Sequence, residues 1–122
     1  MPAEKQIVEG FEKVASEIPG YIAAALVDID SGMTLGMKSL RSDFDLTAAS
    51  AYNSEMVKQK QKIMRALNLK TTLEDMIITL GDQIHFIKVL SPTMFIYLAA
   101  DRSTANIAIV RTMVNKHGAR LQ

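Results

Sequence analysis

Apolar residues occupy both phases of a period-two pattern just after residue 20, with Ile22, Ala24 and Leu26 in one phase and Ala23, Ala25, Val27 and Ile29 in the other. Successive side chains of a strand point to opposite faces, so this segment predicts a central strand of a sheet covered on both sides. Asp30, Ser31 and Gly32 then supply turn residues, and the chain returns through Met33 to Lys38 as a hairpin. Upstream, Ile7, Val8, Phe11, Val14, Ala15 and Ile18 recur at helical spacing, with Glu9 four residues before Lys13. That spacing predicts an amphipathic helix over residues 4–18, stopped by Pro19 and Gly20.

Beyond the hairpin, Ser42, Asp43 and Asp45 offer capping oxygens to a longer helix over residues 45–67, whose apolar stripe is Ala49, Tyr52, Met56, Ile63 and Leu67, with Lys60 inside it. From Thr71 the period becomes strand-like. Residues 73–80 contain Met76, Ile77 and Ile78, and Gly81-Asp82 turns the chain. Ile84, Phe86 and Ile87 carry a second strand to Leu90, and Ser91-Pro92-Thr93 leads into a third, from Met94 to Ala100. A last helix is expected to start near Ser103 as N-cap, to turn Ile107, Val110, Met113 and Val114 inward, and to stop at His117-Gly118 with the glycine in a left-handed cap. The strand from Met94, apolar on both faces, is expected beside the strand from Tyr21 at the centre of the sheet. The fold class is therefore α+β: a three-layer α/β/α sandwich around a five-stranded antiparallel sheet, in the order helix, two strands, helix, three strands, helix.

The chain has 122 residues, which suits one domain spanning residues 1–122. A net charge of +1, with 22% charged residues, gives no global field to gather nucleic acid or an anionic membrane. Any charged partner has to be met locally. The absence of cysteine removes disulfides, thiolate metal sites and cysteine nucleophiles together. Neither a signal-peptide pattern nor an apolar run of membrane-spanning length is present, so the expected location is the cytoplasm, without membrane insertion.

Candidate chemistry is sparse. Asp28-Ile29-Asp30 at the end of an apolar strand is similar to the nucleophile motif of haloacid-dehalogenase phosphatases, but Gly32 stands where that motif takes threonine or valine. A hairpin with aspartates at its turn accounts for the same residues, and no late glutamate completes a calcium loop. Gly32 to Gly36 is followed by no Gly-Lys-Ser/Thr, so no phosphate loop forms. His85 falls on a strand in phase with Ile87 and Val89; His117 falls at a helix C-terminus, where its positive form is favoured. The two are far apart in sequence, and no metal ligand set is visible. No catalytic, cofactor-binding or metal-binding residue is expected. Several of the eight methionines are expected in the core, and Met56, Met64 and Met76 could also serve an adaptable surface.

The order of elements, the segment Gly-Tyr-Ile-Ala-Ala-Ala-Leu-Val-Asp-Ile-Asp-Ser-Gly from Gly20, the strands Ile84-His85-Phe86-Ile87-Lys88-Val89-Leu90 and Met94-Phe95-Ile96-Tyr97-Leu98, and Ala105-Asn106-Ile107-Ala108 together resemble the roadblock/LC7 family over nearly the whole chain. The resemblance implies a profilin-like sandwich. It also implies a homodimer or heterodimer whose sheets join edge to edge, with the long helices packed together on one face. It further implies a regulator or adaptor of a Ras-like small GTPase, nearest to the prokaryotic branch, where the partner serves polarity or motility. Such a protein would be non-enzymatic, raising a partner's turnover by positioning the GTPase's own residues. An arginine finger would need Arg41, Arg65, Arg102, Arg111 or Arg120 to reach the nucleotide, and nothing in the sequence singles one out. The alternative is a scaffold or dynein-light-chain-like subunit of a motor or membrane-associated complex; a small-ligand sensor would need a cavity in the sheet's concavity.

Residues 73–80 carry neither proline nor lysine, the usual guards of an exposed edge, although Glu74 and Asp75 are candidate gatekeepers. The expected dimer surface combines Met76, Ile78 and Leu80 of that strand with Tyr52, Met56, Lys60 and Ile63 of the long helix. Lys60 in this stripe either marks a subunit contact or carries its charge past the core to solvent. Lys58, Lys62 and Arg65 form a basic row, with no acidic residue between Lys58 and Lys70. That row suits an acidic GTPase face, and equally the C-terminal dipole of its own helix.

Overall fold

The computed structural model describes residues 3–121. Its elements follow the order α1 (Glu4–Glu17), β1 (Tyr21–Asp28), β2 (Thr34–Ser39), α2 (Leu46–Ala66), β3 (Asp75–Thr79), β4 (Gln83–Ser91), β5 (Met94–Asp101), α3 (Ile107–Gly118) and a closing 3-10 turn, Ala119–Leu121. The strands form one antiparallel sheet in the order β2-β1-β5-β4-β3. β1 and β5 lie side by side at its centre, as their two-sided apolar patterns require, and both are buried along almost their whole length.

Two cores result, one on each face. α1 and α3 cover the first, where Ile7, Phe11, Val14, Val110 and Val114 meet Ala24, Leu26, Phe86, Ile96 and Leu98. α2 covers the second, where Leu46 and Val57 meet Ala25, Val27, Ile87, Phe95 and Tyr97. Ile22 departs from the expected alternation: it joins Ala23 on the α2 face, because the β1–β5 register shifts between Tyr21 and Ala23. A bulge of this kind lets two successive residues share a face.

The hairpin turn is held by Asp28, whose Oδ2 accepts from the Ser31 N–H at 2.9 Å and the Ser31 hydroxyl at 2.6 Å. Gly32 takes φ +75° there. Asp28 thus serves as a turn anchor, its carboxyl held below the usual range by those two bonds.

α2 is capped by Asp45, which accepts from the Ala48 N–H. Its buried stripe is not the one its large apolar residues predict. Leu46, Ser50, Ser54, Val57 and Met64 face the sheet, while Tyr52, Ile63 and Leu67 are exposed. Two serines can be buried because each hydroxyl has a partner, Ser50 donating to the Leu46 carbonyl one turn back in the helix and Ser54 to the Ile29 carbonyl just after β1.

α3 begins later than expected. Asn106, not Ser103, is the N-cap and accepts from the Ala108 and Ile109 N–H groups. Ser103 instead donates to Asp101, together with its own N–H, and closes the turn after β5. Ile107, expected inward, is exposed, whereas Val110 and Val114 are buried. Nor does Gly118 adopt a left-handed cap, since its φ is not positive. It stays helical, and a Cβ there would lie 2.9 Å from Leu90 and 3.3 Å from Ile96. Glycine at this position serves close packing of α3 on the sheet.

Candidate interaction surfaces

β3 is an edge strand. The Leu80 N–H donates to the Gln83 carbonyl and the Val89 N–H to the Glu74 carbonyl, which sets the phase of the β3–β4 ladder. By alternation Met76 and Ile78 exchange bonds with β4, and Asp75, Ile77 and Thr79 turn their N–H and C=O groups outward. Met76 and Ile78 pack on the α2 face and Ile77 on the other. Glu74 is exposed, whereas Asp75 approaches Arg111 at 3.5 Å, so the edge has one weakly tied and one free acidic guard at its start. Leu80, at its far end, is 40% exposed.

On the same face of the sheet, α2 presents Tyr52 at 79%, Ile63 at 40% and Leu67 at 64% exposure, with Met56 half-buried among them. At about 100° per residue this row runs along one flank of the buried stripe. Lys60 stands beside it, exposed. Lys58, Lys62 and Arg65 run along the opposite flank. Lys58 is tied to Glu55 at 2.8 Å and donates to the Asp30 carbonyl at 3.3 Å, while Lys62 and Arg65 make no ion pair among the described residues.

The two histidines lie apart, as the sequence suggests. His85 Nε2 meets Gln83 Oε1 at 2.8 Å, so it carries the proton; Nδ1 is left to accept from the Tyr97 hydroxyl at 3.2 Å. Burial lowers the His85 pKa and pushes the Tyr97 hydroxyl up to about 12, which keeps tyrosine the donor. His117 departs from expectation. It is buried, neither ring nitrogen has a hydrogen bond, and Glu17 Oε1 lies 3.6 Å from Nε2. Burial lowers its pKa, outweighing the Glu17 carboxylate, so the neutral ring is favoured despite the helix C-terminus. Among the described residues no group of three or more acidic or histidine side chains is placed to hold a metal ion, and no helix is long and apolar enough to cross a membrane.

No family model matches the sequence, and no curated protein matches it. Solved structures do. An MglB in a tetrameric arrangement superposes with a TM-score of 0.85 at 16% identity, over 97% of this chain and 86% of that one. A roadblock/LC7 domain from Streptomyces avermitilis gives 0.80 at 13% identity, over 90% and 89% of the two chains. The fold is that of roadblock/LC7 proteins. The gliding protein MglB from Thermus thermophilus shares it, with a TM-score of 0.81 at 15% identity over 94% of this chain and 84% of that one. Within this roadblock fold, among the described residues, the apolar row of α2 is exposed and the β3 edge carries acidic guards only at its start.

The sequence pointed to the β3 edge and to both flanks of α2. It did not bring out Leu69 and Thr72, which with Leu73 border a groove under the end of α2. A signal was present in Leu67-Asn68-Leu69, two leucines around a helix-ending asparagine, just after a run of basic residues.

Proposed function

We propose that the chain acts as one roadblock-type domain: a non-enzymatic, dimeric regulator or adaptor of a Ras-like small GTPase. The observation that carries the reading is the coincidence of an open strand edge, guarded by acidic residues only at its start, with the exposed Tyr52–Ile63–Leu67 row. An open edge is a template for a second strand, and large exposed apolar side chains are a liability unless covered. A second copy answers both. Two β3 strands pairing antiparallel would use the outward groups of Asp75, Ile77 and Thr79, and would bring the two α2 helices together through Tyr52, Met56, Lys60 and Ile63, with Met76, Ile78 and Leu80 at the seam. The tetrameric arrangement of one neighbour supports self-association, and the gliding-protein name of another supports a role in motility or polarity.

In this reading Lys58, Lys62 and Arg65 give the GTPase's acidic surface a local contact, and turnover is raised by positioning the GTPase's own residues. The protein needs no cofactor and works in the cytoplasm, without nucleic acid or membrane insertion. Recovery of partners from native extract with tagged protein, in GTP analogue and in GDP, tests it. A Ras-like GTPase enriched in one nucleotide state supports regulation. Nucleotide-indifferent recovery of a motor or membrane complex overturns it in favour of the scaffold.

A further inference from the structure

The charge of this chain is nearly balanced only as a whole. Five of its 14 basic residues, and none of its 13 acidic ones, lie between Lys58 and Lys70, leaving nine basic against 13 acidic elsewhere. The segment is thus a concentrated positive region on an otherwise acidic molecule. It comprises the last turns of α2 and the connection to β3.

Beneath it lies a groove of about 550 Å³, between the end of α2, the connection to β3 and the β4–β5 turn. Its apolar side is formed by Met64, Leu69, Leu73, Val89 and Pro92, of which Leu69 is 48% exposed. Asn68 ends the helix at φ +56°, and the Leu69 N–H returns to the Met64 carbonyl, which holds Leu69 at the groove's mouth. Arg65 lines the rim, Lys62 stands one turn back, and Lys70 lies between the lining residues Leu69 and Thr71. Glu74 is the one acidic lining residue.

We propose that this groove binds an extended, acidic segment of a partner protein, with one or two aliphatic side chains set against Leu69 and Leu73 and flanking carboxylates directed at Arg65, Lys62 and Lys70. A concave apolar floor with a basic rim fits a linear segment that carries both features, and the rim's charge sets the sign of the partner. A flat anionic bilayer would contact the rim and leave the floor unfilled. The proposal shares Lys62 and Arg65 with the functional reading, and adds Lys70 and the apolar floor of Leu69 and Leu73, which that reading does not use. All the lining residues belong to one chain, so it requires neither the dimer nor a nucleotide.

Selection of a random dodecapeptide display library on the full-length protein provides the test. The expected result is enrichment of peptides with an aliphatic pair flanked by aspartate or glutamate. Synthetic versions, followed by fluorescence anisotropy, should lose at least tenfold in affinity on Leu69→Asp and on Arg65→Glu, with unfolding transitions unchanged. Affinity should also fall steeply with added salt. No enrichment, enrichment without acidic residues, or affinity indifferent to both substitutions overturns the proposal. So does sedimentation with phosphatidylserine vesicles that the same substitutions abolish while peptide binding is absent, which would assign the region to a lipid surface. Loss of GTPase recovery with peptide binding intact would refute the functional reading alone.

Discussion

Tyr52→Ala separates self-association from folding. The side chain is 79% exposed, so within one chain it makes few contacts, and its removal should change monomer stability by less than about 0.5 kcal/mol. In the proposed dimer it lies at the helix seam. An aromatic side chain carries roughly 150–250 Å², and four fifths of that at roughly 25 cal/mol per Å² is about 3–5 kcal/mol if fully covered. Covering one side of the ring halves the figure, and two-fold symmetry counts it twice, which returns the loss to about 3–5 kcal/mol per dimer. That corresponds to at least about a hundredfold in Kd. Sedimentation velocity over a concentration series reads the constant, with urea unfolding of the dilute protein as the control for fold. A Kd within about threefold of the parent, at unchanged unfolding, would refute the placement of α2 at the seam.

The β3 edge has its own tests. Thr79→Pro removes an outward N–H while leaving the bonds to β4, so the dimer should weaken at least about tenfold in Kd with the monomer still folded; a dimer of unchanged affinity would exclude β3 pairing. Ile78→Lys should likewise return the mass toward the 13.5 kDa of one chain in size-exclusion light scattering. In Gly36→Ala the new Cβ would lie 2.5 Å from Ile7 Cγ2, an overpacking worth about 1–3 kcal/mol, or about 4–12 °C in Tm by calorimetry. His117 gives a pH dependence. Its folded pKa lies below the ordinary 6.5 because burial disfavours the charged ring, Glu17 opposing and Arg120 and Lys116 reinforcing the shift. The unfolded chain therefore binds the proton more readily; stability is complete above pH 6.5 and falls as pH drops toward the folded pKa. Urea midpoints at several pH values should show that fall, flattened but not abolished in His117→Phe, since burial lowers the His85 pKa too.

The element order and the central place of β1 and β5 were legible in the sequence because each rests on a local pattern, whereas the edge position of β3 was only a condition until the strand order supplied it. A strand apolar in both phases has to be covered twice, and a hairpin is set by a few turn residues. The same logic offered Ser42, Asp43 and Asp45 as caps, of which the structure uses Asp45. What the sequence left open depends on which of several satisfied alternatives the assembled layers select. α2 carries enough apolar residues for two stripes, and tertiary packing chose the one with Ser50, whose hydroxyl is satisfied within the helix by the Leu46 carbonyl, and Ser54, whose hydroxyl finds the Ile29 carbonyl once the helix lies on the sheet. The large residues of the other stripe were left outside. Ile22 changed face because a register shift between two strands belongs to the pair. Gly118 stayed helical, and His117 lost its charge, because α3 is pressed onto Leu90 and Ile96 and against α1. The groove under Arg65 combines residues from α2, the connection after it and the β4–β5 turn, which only the closed sandwich brings together. The sequence by itself determined the layers and the excess of positive charge before β3; the tertiary structure decided which faces of those layers remain exposed, because exposure is settled by what packs against a residue and not by the residue alone.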